Sequence, residues 1–424
     1  MQFNETMEQN PRAKLLRPVW GSKFFRRDVP AAIIYDLDAI QHQVNQLKQV
    51  FPTAFHALSV KANPLPSILK PLNQAQVGLE AASIGEVYLA MKSGYEANQV
   101  VFDSPAKSVE DLEFALAAGV VINADNLLEL ERIDALYKEL GSKSRIGLRI
   151  NPQIGMGSIV SSSVAGKVSK FGVPLSERES IITAFQKYKW LKGLHVHSGS
   201  QGMAIKQLVA GVKAVYSLVE DIHSVLVEQK RTLDFFDIGG GFPVSYLPEQ
   251  QAPQLEQYAS ALAQACPLLF DGSIQLMTEF GRFVFANAGV AVSRVEYVKE
   301  SGGEHVLIAH LGADFMLRTA YLPQDWPHTF SVLDKKGNPK SGVEQAYSIA
   351  GPLCFGGDFI GRSVSLPKVE AGDLLLIHDI GAYTLSMWSR YNSRRMPVVL
   401  GISNGKVQVL KKRENLTDIL KFWT

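Results

Sequence analysis

The sequence predicts an α/β protein, an eight-stranded (β/α)8 barrel followed by a C-terminal β-rich domain. Two observations carry this expectation. From residue 54 to about residue 281, short apolar, β-branched runs alternate with longer segments of helical period. After about residue 290 the helical period fades and strand-like alternation replaces it. The length agrees, since 424 residues are too many for one ordinary core.

The chain opens on MQFNETMEQNPRAK, which is polar and lacks the apolar core of a signal peptide. Residues 1–20 give no pattern and are expected to be a loose arm, within an N-terminal arm of residues 1–30. VPAAIIYDLDAI supplies one strand, within residues 31–45, that could join the later β sheet. The barrel is expected over residues 46–288. Its eight runs are AFHALSVK (54–61), VGLEAAS (77–83), VVFDS (100–104), VVINAD (120–125), RIGLRIN (145–151), GLHVHSGS (193–200), FFDIGGG (235–241) and IQLMTEFG (274–281). Segments such as SVEDLEFALAAG and NLLELERIDALYKELG read as the intervening helices. Ser83 with Glu86, and Ser108 with Asp111, have the spacing of helix caps. A doubly wound open sheet is the competing arrangement. SIVSSSVAG (158–166) reads as a mobile loop at the barrel top. Over residues 289–424, VAVSRVEYV, HVLIAHL, AYSIAG, DLLLIHDIG, PVVLGIS and KVQVLKK are the strands of the β domain.

Composition narrows the function classes. Hydrophobic residues make up 46% and charged residues 20%, with a formal net charge of +2, so no strong field favours nucleic acid or an anionic membrane. No apolar run is long enough to span a bilayer. Two cysteines, Cys266 and Cys354, allow one disulfide but no disulfide framework. A reducing cytoplasm is the expected location.

The functional argument rests on position, because barrel enzymes carry their catalytic residues at the C-terminal ends of the strands. Those ends hold Lys61, Glu80, Arg149, His197, Ser200, Gly239, Gly240, Gly241, Glu279 and Arg282. A strand-end lysine is expected to be partly desolvated, which makes a neutral amine accessible for a Schiff base with an aldehyde cofactor. Consecutive glycines after the seventh strand let backbone amides approach a phosphate, with Arg282 as a positive partner. Glu279 facing a pyridine nitrogen would keep that nitrogen protonated. His197 offers a ring that could stack on the cofactor. His195 points to the same side of an ideal strand, so spacing alone does not choose between them; His197 is favoured because it lies nearer the strand end.

The segments SVKANP, KFG (170–172), GLHVHSGSQ, DIGGGFP, EFGR, GPLCFGGD and GAYTLSMWSRYNSR resemble those of the fold-type III decarboxylases, which include diaminopimelate, ornithine and arginine decarboxylases. The resemblance runs from about residue 30 to residue 405. It implies an alanine-racemase-like barrel, pyridoxal 5′-phosphate as cofactor, and a homodimer with active sites at the interface. Lys61 would carry the internal aldimine and His197 would stack on the pyridine ring. Ser200, Gly239–Gly241, Gly281 and Arg282 would surround the phosphate, and Glu279 would pair with the ring nitrogen. Glu80 and Arg149 belong to the same expected cofactor site. Tyr383 would reach the phosphate from the β domain, and Cys354 would cross from the partner subunit as the acid that protonates the α-carbon. Lys170 and Asp358 resemble a salt bridge between subunits, and Arg318 an arginine that takes a substrate carboxylate.

Three departures bear on the substrate. Phe355 follows Cys354 where the diaminopimelate enzymes place a glutamate and the ornithine enzymes an aspartate. Phe280 stands in EFGR where the family usually has proline, and RTAYLP (318–323) lacks the tyrosine four places after the arginine. Together these resemble the branch that acts in siderophore pathways on an amino acid already conjugated to citrate. The alternative is the diaminopimelate decarboxylase of lysine biosynthesis. Rivals from other classes are a racemase on the same barrel, a catalytically dead binding protein, and a sugar-phosphate barrel enzyme without this cofactor.

Overall fold

The computed structural model describes residues 11–20, 22, 29–155, 157–159 and 164–424, with only the backbone of residues 11–14. Contacts divide the chain into two units. One comprises Gln43–Val244 and Gln251–Val284; the other comprises Ser245–Gln250, Phe285–Thr424 and the described residues before Gln43.

The described chain begins with helix α1 (Pro11–Trp20), strand β1 (Ala31–Asp36) and helix α2 (Leu37–Val50). Helix α1 is not a loose arm: Leu16 and Val19 are fully buried in the core of the β-rich unit. Proline at Pro11 and Pro18 hides the short helical repeat. Residues 1–10, the start of the expected arm, lie outside the described residues. The strand expected within 31–45 ends at Asp36, where Asp36 Oδ1 accepts the Ala39 amide and α2 begins.

The barrel unit then alternates strand and helix: β2 (Phe55–Ser59), α3 (Pro66–Asn73), β3 (Gly78–Ala81), α4 (Ile84–Lys92), β4 (Val100–Asp103), α5 (Val109–Ala118), β5 (Val121–Ala124), α6 (Leu127–Glu139) and β6 (Ile146–Asn151). The two-residue β7 (Val173–Pro174) is an appendage on β6. There follow α7 (Arg178–Lys187), β8 (Leu191–His195), α8 (Ile205–Tyr216), α9 (Val219–Glu228), β9 (Phe235–Asp237), α10 (Leu255–Ala265), β10 (Gln275–Thr278) and α11 (Gly281–Phe285). The foreseen caps form, Ser83 Oγ accepting the Glu86 amide and Ser108 with Asp111 closing a reciprocal capping box. Apart from β7, the eight strands β2, β3, β4, β5, β6, β8, β9 and β10 are parallel and closed. Met277 pairs with Phe55 between β10 and β2, and Ile122 with Ile146 between β5 and β6. Closure rules out the open doubly wound sheet. Inside, Phe235 packs with Ala57, Val101, Val121 and Met277. Its ring needs Gly193, where a Cβ would come within 2.2 Å of it.

The β-rich unit continues with β11 (Gly289–Ser301), β12 (Glu304–Ala309), α12 (Leu317–Tyr321), β13 (Phe330–Leu333), β14 (Glu344–Ala350), β15 (Phe359–Pro367), β16 (Leu374–His378), β17 (Val398–Ser403), β18 (Lys406–Lys411) and α13 (Leu416–Trp423). The main path of its sheet is β15-β14-β12-β11-β1-β17-β18, with β16 pairing both β11 and β13. Strand β1 lies antiparallel to β11 and parallel to β17. Its inward Ala32 and Ile34 meet Val290, Val292, Leu374, Leu376, Val398 and Leu400 in one core. Among the described residues no helix is long and apolar enough to cross a membrane.

Candidate active site

The barrel's polar strand ends converge around Lys61. The apolar run stops at Ser59, and a single 3-10 turn, Val60–Ala62, carries Lys61 beyond the strand. Its Nζ donates to Glu80 Oε1 at 2.8 Å and Oε2 at 2.6 Å, from the neighbouring strand β3. The lysine side chain is part-buried, at 36% exposure, and is ion-paired to a fully buried carboxylate. Gly281 packs on this turn, where a Cβ would lie 3.0 Å from Ser59 Cβ and from Ala62 Cβ.

The glycine run after β9 forms a bare backbone turn. Gly239 and Gly241 adopt φ of +67° and +92°, which L side chains rarely do. A Cβ on Gly241 would come within 2.1 Å of the Gly199 carbonyl, and one on Gly239 within 2.6 Å of the Val196 carbonyl. The turn therefore lies directly on the loop after β8. On that loop Ser200 Oγ accepts Arg282 Nη2 at 3.0 Å. A turn without side chains, a hydroxyl and a guanidinium make a cradle for a phosphate, with the Gly239 and Gly240 amides donating to Asp237 Oδ1 and His197 Nδ1.

Glu279 follows β10 and is buried. Its amide donates to Gly239 O at 2.8 Å, and its carbonyl accepts Ser59 Oγ at 3.0 Å, which ties it to both the glycine turn and the lysine strand. Burial, then the neighbouring Asp237 carboxyl, pushes its own carboxyl well above the usual range. Asp237, inside the barrel, is itself pushed up to about 7 by burial and then by Asp103. His197 Nδ1 accepts the Gly240 amide at 3.0 Å. Burial, then the Arg149 charge, holds the ring well below its ordinary value, so it is neutral with its proton on Nε2. The two histidines that spacing leaves equivalent differ here: His195 is fully buried, whereas the His197 ring keeps 16% exposure.

Arg149 is committed elsewhere than to the phosphate cradle. Its Nη1 donates to Asp103 Oδ2 at 2.8 Å, and its guanidinium lies 4.4 Å from the Phe171 ring centroid. Burial pushes Asp103 up, but Arg149, Lys107 and Lys61 together hold the carboxyl well below the usual range. Sequence reasoning missed Asp103, Asp237 and the buried Lys107–Glu129 ion pair at 2.8 Å. The available signal was an acidic residue closing an apolar strand in VVFDS and FFDIGG. The expected mobile loop at 158–166 falls partly on residues 160–163, outside the described residues; Ser158 Oγ donates to Gly202 O at 3.1 Å.

The remaining candidates belong to the β-rich unit, except Lys170, whose ammonium lies 5.0 Å from the Phe171 ring in the barrel unit. Cys354 is exposed, and its amide donates to Asn392 Oδ1 at 2.8 Å while its carbonyl accepts Tyr391 Oη at 3.1 Å. Cys354 and Cys266 are both free thiols. Phe355 stacks on Tyr321, with centroids 5.8 Å apart and planes 18° apart. Arg318 is sandwiched between the rings of Trp326 and Tyr383, 4.5 and 4.6 Å from their centroids. Tyr383 holds a left-handed φ of +59°. Asp358 is buried, and its two oxygens accept the amides of Ala313 and Leu353 at 2.5 and 2.7 Å.

An amine, a phosphate cradle, a flat neutral ring and a buried carboxyl group fit a phosphate-bearing pyridine aldehyde. Comparisons with known proteins agree. Residues 37–286 match the family model described as the pyridoxal-dependent decarboxylase, pyridoxal binding domain. The diaminopimelate decarboxylase of Helicobacter pylori is 30% identical over 392 residues, spanning 91% of this chain and 93% of the relative. The crystal structure of that organism's enzyme complexed with L-lysine superposes with a TM-score of 0.83 at 28% identity, covering 93% of this chain and 96% of the other. The lysine/ornithine decarboxylase of Vibrio vulnificus, complexed with cadaverine, gives a TM-score of 0.75 at 25% identity over 88% of this chain and 95% of the other.

Proposed function

The chain belongs to the family of pyridoxal-dependent decarboxylases, and from that premise we propose that it removes one α-carboxylate of diaminopimelate, with pyridoxal 5′-phosphate carried on Lys61. It is a pyridoxal-phosphate-dependent carboxy-lyase acting on an amino acid. The observation that carries the diaminopimelate reading is likeness to enzymes of that name along nine-tenths of both chains. When bound, the cofactor supplies an electron sink for the carbanion left by departing carbon dioxide. The residues around it hold, orient and shield. Lys61 gives up its ion pair with Glu80 to hold the aldehyde carbon. Ser200, the turn at Gly239–Gly241 and Arg282 grip the phosphate; His197 covers the ring; Glu279 faces the ring nitrogen. Cys354 delivers the proton to the α-carbon, Tyr383 reaches the phosphate, and Arg318 takes a substrate carboxylate. Cys354 crosses from the partner subunit of a cytoplasmic homodimer whose active sites lie at the interface.

One observation favours a second reading, an amino acid whose distal amine is already conjugated, as in a citrate-linked siderophore intermediate. Phe355, stacked on Tyr321, offers no charge-assisted bond to a free ammonium. The test is carbon dioxide release by the purified enzyme from diaminopimelate, lysine, ornithine and citryl–amino-acid conjugates. Turnover of diaminopimelate well above the others is expected; turnover of a conjugate alone would replace that reading with the second. Lys61→Ala is expected to lose the visible Schiff-base band and all turnover, and an unchanged band would remove Lys61 from the mechanism.

A further inference from the structure

Four buried side-chain atoms inside the barrel have no hydrogen-bond partner among the described residues, and they face one another in two pairs. Asp103 Oδ1 lies 3.6 Å from His195 Nδ1, and His195 Nε2 lies 3.7 Å from Glu279 Oε1. Both distances are too long for hydrogen bonds. Buried polar atoms are ordinarily satisfied, so a contiguous row of four calls for a physical reason.

The charges along the row dictate its proton positions. The other oxygen of Asp103 accepts Arg149 Nη1 at 2.8 Å, so Asp103 is the ionised end. Burial holds His195 neutral, its ordinary value pulled down to about 3, with Arg149, Lys61 and Lys107 opposing a charge there and only Asp103 favouring one. A neutral imidazole has one N–H and one lone pair. With a carboxylate beside Nδ1, the N–H belongs on Nδ1 and the lone pair on Nε2. A lone pair facing Glu279 Oε1 requires the proton of Glu279 to sit on that oxygen. The surroundings of Glu279 agree that it is protonated: Asp237, which accepts the Gly239 amide at 2.9 Å and Asn123 Nδ2 at 3.3 Å and also pairs with the Glu279 side chain, makes a second negative charge there unfavourable. The remaining oxygen, Oε2, is turned to His197 at 3.8 Å.

We propose that His195, oriented by Asp103, is a positioning residue that takes up the proton of Glu279 when a cationic ring nitrogen is presented to Glu279 Oε2. The O–H bond on Glu279 breaks, the N–H bond on His195 Nε2 forms, and the electron pair stays on Glu279. The row becomes carboxylate, imidazolium, carboxylate, and both gaps can close to ordinary charge-assisted length. No proton enters or leaves the protein. Glu279 is thereby a carboxylate where the ring needs one and an acid where the barrel is empty. The inference rests on the assignment of Glu279 to the ring nitrogen.

The experiment follows the nine histidines by nitrogen-15 NMR in protein freed of pyridoxal phosphate and again after reconstitution, with His195 assigned from His195→Gln. The expected result is a neutral, Nδ1-protonated His195 in the free protein and a doubly protonated one after reconstitution. In parallel, His195→Phe is expected to weaken pyridoxal phosphate binding at least about ten-fold, with His195→Gln recovering part of the loss. If Glu279→Gln weakens binding but the His195 signals stay unchanged on reconstitution, the proposal is overturned and the Glu279 assignment stands. If Glu279→Gln binds as tightly as the parent, the assignment fails and takes the proposal with it. Should His195→Phe not fold, the NMR of the unaltered protein decides alone.

Discussion

Replacing Arg149 by alanine removes the ion-pair partner of a buried carboxylate. Arg149 and Asp103 expose 6% and 5% of their side chains and meet at 2.8 Å. Breaking a buried pair by deleting one member costs roughly 3–5 kcal/mol, because the survivor is left charged in a poor solvent. For a unit of this size each kcal/mol shifts the melting temperature by about 2–4 °C, so the barrel transition is expected to fall by roughly 6–20 °C. The effect depends on pH with a definite sign. In the parent protein Asp103 is held below its unfolded value, so its contribution is present above about pH 4 and is lost as pH falls through the lower folded value. In Arg149→Ala, burial, the largest influence on Asp103, is opposed by Lys107 and Lys61 but no longer by Arg149, and the folded value is expected to rise above the unfolded one. That variant then loses stability as pH rises between the two. The gap between the proteins must therefore widen from about pH 5 to about pH 7.5. Thermal melts of both cofactor-free proteins at the two pH values are the assay. A gap that is the same at both, or below about 1 kcal/mol at neutral pH, would show that Asp103 is not held ionised by Arg149.

Two further perturbations probe the cofactor and substrate sides. Gly241→Ala drives a Cβ to 2.1 Å from the Gly199 carbonyl at a φ of +92°, so the glycine turn must shift; pyridoxal phosphate titrations are expected to show at least about ten-fold weaker binding, and parental affinity would remove the turn from the phosphate site. Phe355→Glu restores a carboxylate at the position after Cys354 and is expected to raise kcat/KM for diaminopimelate relative to conjugated amino acids about ten-fold or more; no relative gain would show that Phe355 does not set specificity.

Much of the fold was legible because barrel strands and helices record their period locally. All eight barrel strands overlap apolar runs, although β8 (Leu191–His195) starts two residues before its run and stops short of His197, and the caps at Ser83 and Ser108 form as their spacing implies. Local pattern failed where a special residue masks the period. Prolines hide α1 around the buried Leu16 and Val19. Strand β13 is only four residues long, and β15 is distorted by Ser363 at a φ of +50° and by a register shift against β14.

For the site, the sequence determined which chemical groups would gather at one end of the barrel, because a strand that ends in a polar residue delivers it to that face whatever else the fold does. It did not determine which groups would bond to one another. Arg149 and Asp103 are 46 residues apart and belong to strands separated by β5, and the turn at Val60–Ala62 hands Lys61 to Glu80 on the next strand. Only closure fixed the stagger that brings those pairs together, buried His195 while leaving the His197 ring partly open, and set Asp103, His195 and Glu279 in a row. Hydrogen bonding and desolvation depend on distances across the barrel, and one chain's periodicity carries no record of them.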